Sequence, residues 1–445
     1  TQGCTLPIDE VASRGVIFSN AYVGCPLSQP SRAALWSGMM PHQTNVRSNS
    51  SEPVNTRLPE NVPTLGSLFS ESGYEAVHFG KTHDMGSLRG FKHKEPVAKP
   101  FTDPEFPVNN DSFLDVGTCE DAVAYLSNPP QEPFICIADF QNPHNICGYV
   151  GENKGEHIDS PISTPLPLLP ENFEVEDWEK LPLPIQYICC SHRRMMQAAH
   201  WNEDNYRHYV AAFQHYTRIV ARQIESVLEA LYSTPAGKNT IVIVLADHGD
   251  GMGSHRMVTK QVSFYEEMTN VPFIIAGPGI HPRQKPVEDL LTQPTIDLLP
   301  TLCELAGIPV PSSKPGISLA PFLKGEKQKR QHPYAASEWH SEYEVTVSPG
   351  RMIRSPRYKY THYLEGNGEE LYDMLKDKGE RRNLAHDPKY SKILAEHRAL
   401  LDDYIRRTQD DYRSLKVEAD KRWRSHAPGY PNHEGPCARD IINRK

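Results

Sequence analysis

The stretch Thr240-Ile241-Val242-Ile243-Val244-Leu245-Ala246 constrains the fold more than any other. A near-continuous run of β-branched and aliphatic residues reads as the clearest strand in the chain, and a buried one. It runs straight into Asp247-His248-Gly249-Asp250-Gly251. A carboxylate at the end of a buried strand needs a charge partner or a metal. Two more predicted strands, 74–80 and 133–140, end the same way, in Lys81-Thr82-His83 and in Asn142-Pro143-His144. Helical spacing over 63–73, before the first of them, and over 120–126, before the second, makes an α/β succession. In open α/β sheets ligands sit at the carboxyl ends of strands. Lys81, His83, His144, Asp247 and His248 are therefore candidate site residues. By residue chemistry alone, a solvated lysine and a loop histidine explain Lys81 and His83 equally well, and a structural hydrogen-bonding role is the plainer reading of His144.

A fourth candidate lies near the start of the chain. Val16-Ile17-Phe18 reads as a strand, and Ser28-Gln29-Pro30-Ser31-Arg32 leads into a helix expected to open at Ser31. The unpaired N–H groups and the positive end of the dipole make a helix N-terminus receptive to anions. Arg32 adds a planar fork suited to a tetrahedral oxyanion. This is the arrangement of a nucleophile with an anion cradle. From the turn alone, the plainer reading is an ordinary strand–helix junction with a capping serine.

Ser28-x-Pro-Ser-Arg32, followed by Leu35 and Ser37-Gly38, resembles the type I sulfatase signature, a family within the alkaline phosphatase-like superfamily. Gly80-Lys81-x-His83, Pro143-His144, Asp247-His248 and Lys260 follow in the order this resemblance expects, so it spans nearly the whole chain. It implies an α/β fold with a large, mostly parallel sheet flanked by helices, plus a small C-terminal antiparallel sheet. The predicted boundary is at 330. Residues 1–329 form the catalytic part, and 330–445 hold short alternating strands, a helix over 388–408 and an extended tail with His426 and His433.

The resemblance also implies the chemistry. Residue 28 is oxidised to formylglycine by a maturation enzyme and supplies the nucleophile. Arg32 and Lys81 hold it, His83 takes a proton, and His144 or Lys260 protonates the leaving alcohol. Asp247, His248 and residue 28 bind a divalent metal, expected to be Ca²⁺. His255, Arg193 and His200 are candidate substrate contacts, with a surface charge cluster as the plain alternative for the last two. The expected substrate is a carbohydrate sulfate, from a glycosaminoglycan or an algal-type polysaccharide, and the expected location is the bacterial periplasm or outside the cell. Two alternatives stand beside this: a phosphatase or phosphodiesterase of the same superfamily, and a non-catalytic sulfated-glycan-binding protein.

Composition excludes other classes. A net charge of −9 gives no electrostatic support to nucleic-acid binding. No run of about 18 apolar residues predicts a membrane span. The nine cysteines have no zinc-type Cys-x-x-Cys pair and leave room for one or two bridges, not a disulfide scaffold. Glu203 to Tyr232 carries a long helical stripe of aromatic and aliphatic residues, which reads as core. Residues 87–115 and 148–200 read as long loops that shape a pocket. Nothing in the sequence specifies an oligomeric state.

Overall fold

The computed structural model describes residues 7–49, 57–102, 110–153, 165–174, 180–191, 193–260, 263–328, 331–340 and 348–415. The helices are α1 (Pro7–Ser13), α2 (Ser28–Ser37), α3 (Pro41–Thr44), α4 (Leu65–Glu71), α5 (Asn110–Ser127), α6 (Ile146–Glu152), α7 (Leu183–Ser191), α8 (Arg193–Gln197), α9 (Glu203–Tyr232), α10 (Glu266–Thr269), α11 (Pro294–Ala306), α12 (Ala320–Leu323) and α13 (Ser391–Thr408). The strands are β1 (Gly15–Ile17), β2 (Glu75–Gly80), β3 (Lys92–Lys94), β4 (Phe134–Asp139), β5 (Val242–Leu245), β6 (Phe273–Ala276), β7 (Ala335–Trp339), β8 (Gly350–Arg354), β9 (Tyr358–Tyr363) and β10 (Gly368–Asp373).

Two three-stranded sheets carry the site. One has the order β3-β2-β4, with both pairs parallel. The other has the order β1-β6-β5, with β6 antiparallel to both neighbours. The sheet system is therefore mixed: among the described residues the parallel ladders join β2 to β3 and β4, and isolated parallel bridges link Phe18 to Val287 and Ala21 to Thr292. Pro272 marks the start of β6 and not an edge, since β6 lies between two strands. A cavity of about 1670 Å³ runs along β4 and β5 and reaches Arg32, Lys81, His144, Asp247 and Lys260.

The stripe on α9 is core: Tyr206, Tyr209, Tyr216 and Ile219 are buried together with Trp201 and Phe264. The last four strands form an antiparallel sheet in the order β10-β9-β8-β7. Leu394, Leu401 and Tyr404 of α13 cover its Ile353, Tyr360 and Leu371. Buried Lys359 ties this sheet to the rest through Glu266, 2.9 Å away, and to Glu380 at 2.7 Å.

Three expectations shift. Helix α2 opens at Ser28 and not at Ser31, because Pro30 sits in the first turn, where no N–H is needed. Leu27 takes the cap position, so Ser28 is not a capping serine. Residues 110–115 are the first turns of α5 and not loop. The tail after 415, with His426 and His433, lies outside the described residues. Among the described residues, Cys25, Cys119, Cys136, Cys147 and Cys303 are free thiols, and no helix is long and apolar enough to cross a membrane.

Candidate active site

Strand ends and one helix start converge on Arg32. Its guanidinium donates from Nε to the Thr82 carbonyl at 2.9 Å and from Nη2 to the Lys81 carbonyl at 2.9 Å. It also pairs with Asp139 at the end of β4 and, at 3.2 Å, with Asp247 beyond β5. One planar fork thus fixes the ends of β2, β4 and β5, which a lysine's single ammonium could not span. Gly80 makes the close approach: a Cβ there would stand 2.1 Å from the Asp139 carbonyl oxygen, and its φ is +102°. Gly249 does the same beyond β5, where a Cβ would meet the Glu267 carbonyl oxygen at 1.8 Å.

Ser28 is 1 % exposed, and its Oγ lies 2.8 Å from His248 Nε2. His248 Nδ1 faces the Gly249 carbonyl at 2.7 Å. A carbonyl only accepts, so Nδ1 carries the proton and the Nε2 lone pair is turned toward residue 28. Asp247 Oδ1 is 3.8 Å from that same Nε2. Burial pushes His248 down to about 4, opposed by Asp247, so the ring is neutral at pH 7. A carboxylate oxygen, an imidazole lone pair and the residue 28 oxygen therefore converge, and this donor set fits a divalent cation.

The electrostatics are strongly cationic. Burial lowers Lys81 to about 8, opposed by Asp247 and reinforced by Arg32 and Lys260. Burial, then Lys81, Arg32 and Lys260, bring His83 to about 4. His83 sits in the left-handed region, with φ at +48°. Burial alone would raise the Asp247 carboxyl, but His248, Lys81, Arg32 and Lys260 hold it far below the usual range. His144 Nδ1 lies 3.0 Å from Asp111 Oδ2 in the first turn of α5.

The structure thus brings Ser28, Arg32, Lys81, His83, His144, Asp247, His248 and Lys260 into one neighbourhood. The proposed substrate contacts lie differently. His255 is 1 % exposed and stacks on Tyr265 at 3.9 Å, a core position. His200 is exposed at the turn before α9, and Arg193 opens α8. Sequence reading missed Asp139, although a carboxylate closing an apolar strand is the very signal that identified Asp247. It also missed Asp111, which no local pattern marks.

A second cluster, His42, Glu338 and Asp410, has ligand atoms within 4.8 Å of one another. Those atoms are spent on protein partners. Glu338 binds the His42 ring at 2.6 Å and its backbone N–H at 2.9 Å, while Asp410 forms a two-pronged pair with Arg351. This is a charge-balanced structural network and not a cation site.

The sulfatase family model matches residues 5–308, and a model described as N-sulphoglucosamine sulphohydrolase, C-terminal, matches 253–407. The chain is 83% identical over 445 residues to Delta 4,5-hexuronate-2-O-sulfatase of Bacteroides thetaiotaomicron, covering 100% of this chain and 92% of that one. It is 27% identical over 411 residues to human (Homo sapiens) arylsulfatase K, covering 85% and 74%. The solved structure of a 2-O GAG sulfatase superimposes with a TM-score of 0.94 at 83% identity, over 99% of this chain and 95% of that one. A phosphonate monoester hydrolase of Agrobacterium radiobacter shares the fold at a TM-score of 0.72 and 20% identity, over 93% of each chain.

Proposed function

This chain belongs to the sulfatase family, and on that premise we propose that it removes the 2-O-sulfate from an unsaturated hexuronate of a glycosaminoglycan fragment. The 83% identity to a Delta 4,5-hexuronate-2-O-sulfatase over the full 445 residues carries this reading. The convergence of Ser28, Arg32, Lys81, Asp247 and Lys260 supports it.

In this reading residue 28, oxidised to formylglycine by a maturation enzyme, supplies the attacking oxygen at sulfur. Asp247, His248 and residue 28 would hold a divalent cation, taken as Ca²⁺, which would supply Lewis-acid stabilisation of the sulfate oxygens. The other roles fall to the chain's own side chains. Arg32 fixes the nucleophile's helix against the three strand ends. Lys81 and Lys260 offset charge on the non-bridging oxygens. His83 is held neutral and can accept a proton from residue 28. His144 or Lys260 delivers a proton to the departing sugar oxygen. We assign catalysis to residues 1–329, with 330–445 as a buttress, and a periplasmic or secreted location.

The test joins mass spectrometry with an assay. The tryptic peptide containing Ser28, from protein made in its native host, is expected to lack two hydrogens. The same protein is expected to release sulfate from a 2-O-sulfated unsaturated disaccharide and not from its 6-O-sulfated isomer. No sulfate release from either disaccharide, by this protein and by Ser28→Cys co-expressed with a maturation enzyme, would overturn the reading.

A further inference from the structure

The first two turns of α5 clamp the turn that carries His144. Asp115, 0 % exposed, accepts from the backbone N–H of Gln141 at 2.5 Å and of Asn142 at 2.9 Å. Ser112, also 0 % exposed, takes the Asn142 side-chain amide at 3.1 Å and bonds that of Asn145. Asp111 reaches the His144 ring itself, Oδ2 to Nδ1 at 3.0 Å. An ionised carboxylate can only accept, so Nδ1 must carry the proton. Nε2 is then the nitrogen left for the cavity, which His144 lines.

We propose that Asp111 is a positioning residue that makes His144 a proton donor to the departing sugar oxygen. The argument compares two histidines in one field. His83 is buried beside Lys81, Arg32 and Lys260, with the Asp247 charge opposing them but no carboxylate hydrogen-bonded to its ring among the described residues, and it is pushed down to about 4. His144 is lowered by burial and by Lys260 and Lys81, but the Asp111 hydrogen bond and charge oppose them. The groups acting on this imidazole are Asp111 from α5, Lys81 after β2 and Lys260 after β5. Only Asp111 favours the charged ring. It therefore keeps His144 able to protonate, fixes its tautomer and aims Nε2, the three requirements of a general acid. Asp111 is itself held ionised: burial would raise it, but the His144 bond and the cations lower it.

The inference rests on the sulfatase reading for its chemistry, though not for its geometry. Asp111→Asn keeps the shape and removes the charge. Its kcat/KM should fall about 10- to 100-fold, the range for losing a charged hydrogen bond behind a functional histidine. The alkaline limb of its pH profile should move to lower pH, because Lys81 and Lys260 then act on His144 unopposed. Ser112→Ala loosens the same turn without touching the ring, and should lower Tm without moving that limb. Nitrogen-15 NMR of the resting protein reads the His144 tautomer independently of turnover. Wild type should show Nδ1 protonated, and Asp111→Asn should lose that preference. An unchanged alkaline limb in an active Asp111→Asn enzyme would overturn the proposal, as would an unchanged His144 tautomer and titration. If wild type released no sulfate, the functional reading would fail and with it the donor assignment, while the NMR result would still decide whether Asp111 positions His144.

Discussion

Arg32→Lys is the substitution that most directly tests how the site is assembled. Arg32 is 4 % exposed, and its guanidinium holds two carboxylates and two carbonyls. A lysine keeps the charge and can retain one carboxylate. It leaves the other carboxylate without its partner, together with the carbonyls of Lys81 and Thr82. Breaking a buried pair outright costs about 3–5 kcal/mol, and each neutral hydrogen bond adds about 1 kcal/mol. Since lysine keeps part of this, a loss of about 3 kcal/mol is expected. The catalytic loss should be larger in proportion. Removing one preorganised group that stabilises developing charge costs about 100- to 1000-fold in kcat, and here the ends of three strands are released as well. The assays are thermal unfolding and sulfate release at saturating substrate. Arg32→Lys/Asp139→Asn should recover part of the stability and none of the activity, because it removes the orphaned carboxylate without restoring the fork. A Tm within about 1 °C of wild type together with unchanged kcat would refute the convergence on Arg32 as the organising contact.

Other perturbations have equally definite outcomes. Ser28→Ala should abolish sulfate release and leave Tm nearly unchanged, since one small hydroxyl bonded to His248 is lost; residual turnover after this change would exclude residue 28 as the nucleophile. Removal of divalent metal with a chelator should lower kcat and restore it on Ca²⁺ addition, read by sulfate release; turnover indifferent to chelation would exclude a role for Asp247 and His248 as ligands. Burial would lower His42, but Glu338 raises it above 6.5, so their pairing contributes fully below pH 6.5 and fades as pH climbs through the raised value. Glu338→Gln should therefore reduce Tm more at pH 6 than at pH 9, and an equal reduction at both would contradict the pairing. Gly80→Ala should cost stability and activity together, since its Cβ would collide with the Asp139 carbonyl and its φ is positive.

Much of this protein was legible in one dimension. The apolar run 240–246 holds a strand, β5, as its aliphatic composition indicates, but β5 ends its three-stranded sheet antiparallel to β6 and lines the cavity half-buried, where the sequence suggested full burial. The helix over Glu203 to Tyr232 appeared with the same bounds, since its aromatic stripe repeats with the helical period over thirty residues. Ser28, Arg32, Lys81, His83, His144, Asp247 and His248 could be named because each lies just past a strand or in the first turns of a helix in the order the sulfatase signature expects, and Lys260 from that order alone.

What the sequence left open is what depends on which elements become neighbours. The direction of β6 against β1 depends on how segments about 260 residues apart meet, and no local pattern encodes it. His255 lies close in sequence to the Asp247–Gly251 loop, yet its ring packs against Tyr265 in the core, on a backbone in the left-handed region. Asp111 and His144 are 33 residues apart and meet only because α5 packs on β4. Local chemistry supplied the groups that can do the reaction. Long-range packing decided which nitrogen of His144 carries the proton, which carboxylates Arg32 neutralises and which charges each of them feels, because hydrogen bonds and fields act over a few ångströms of space and not along the chain.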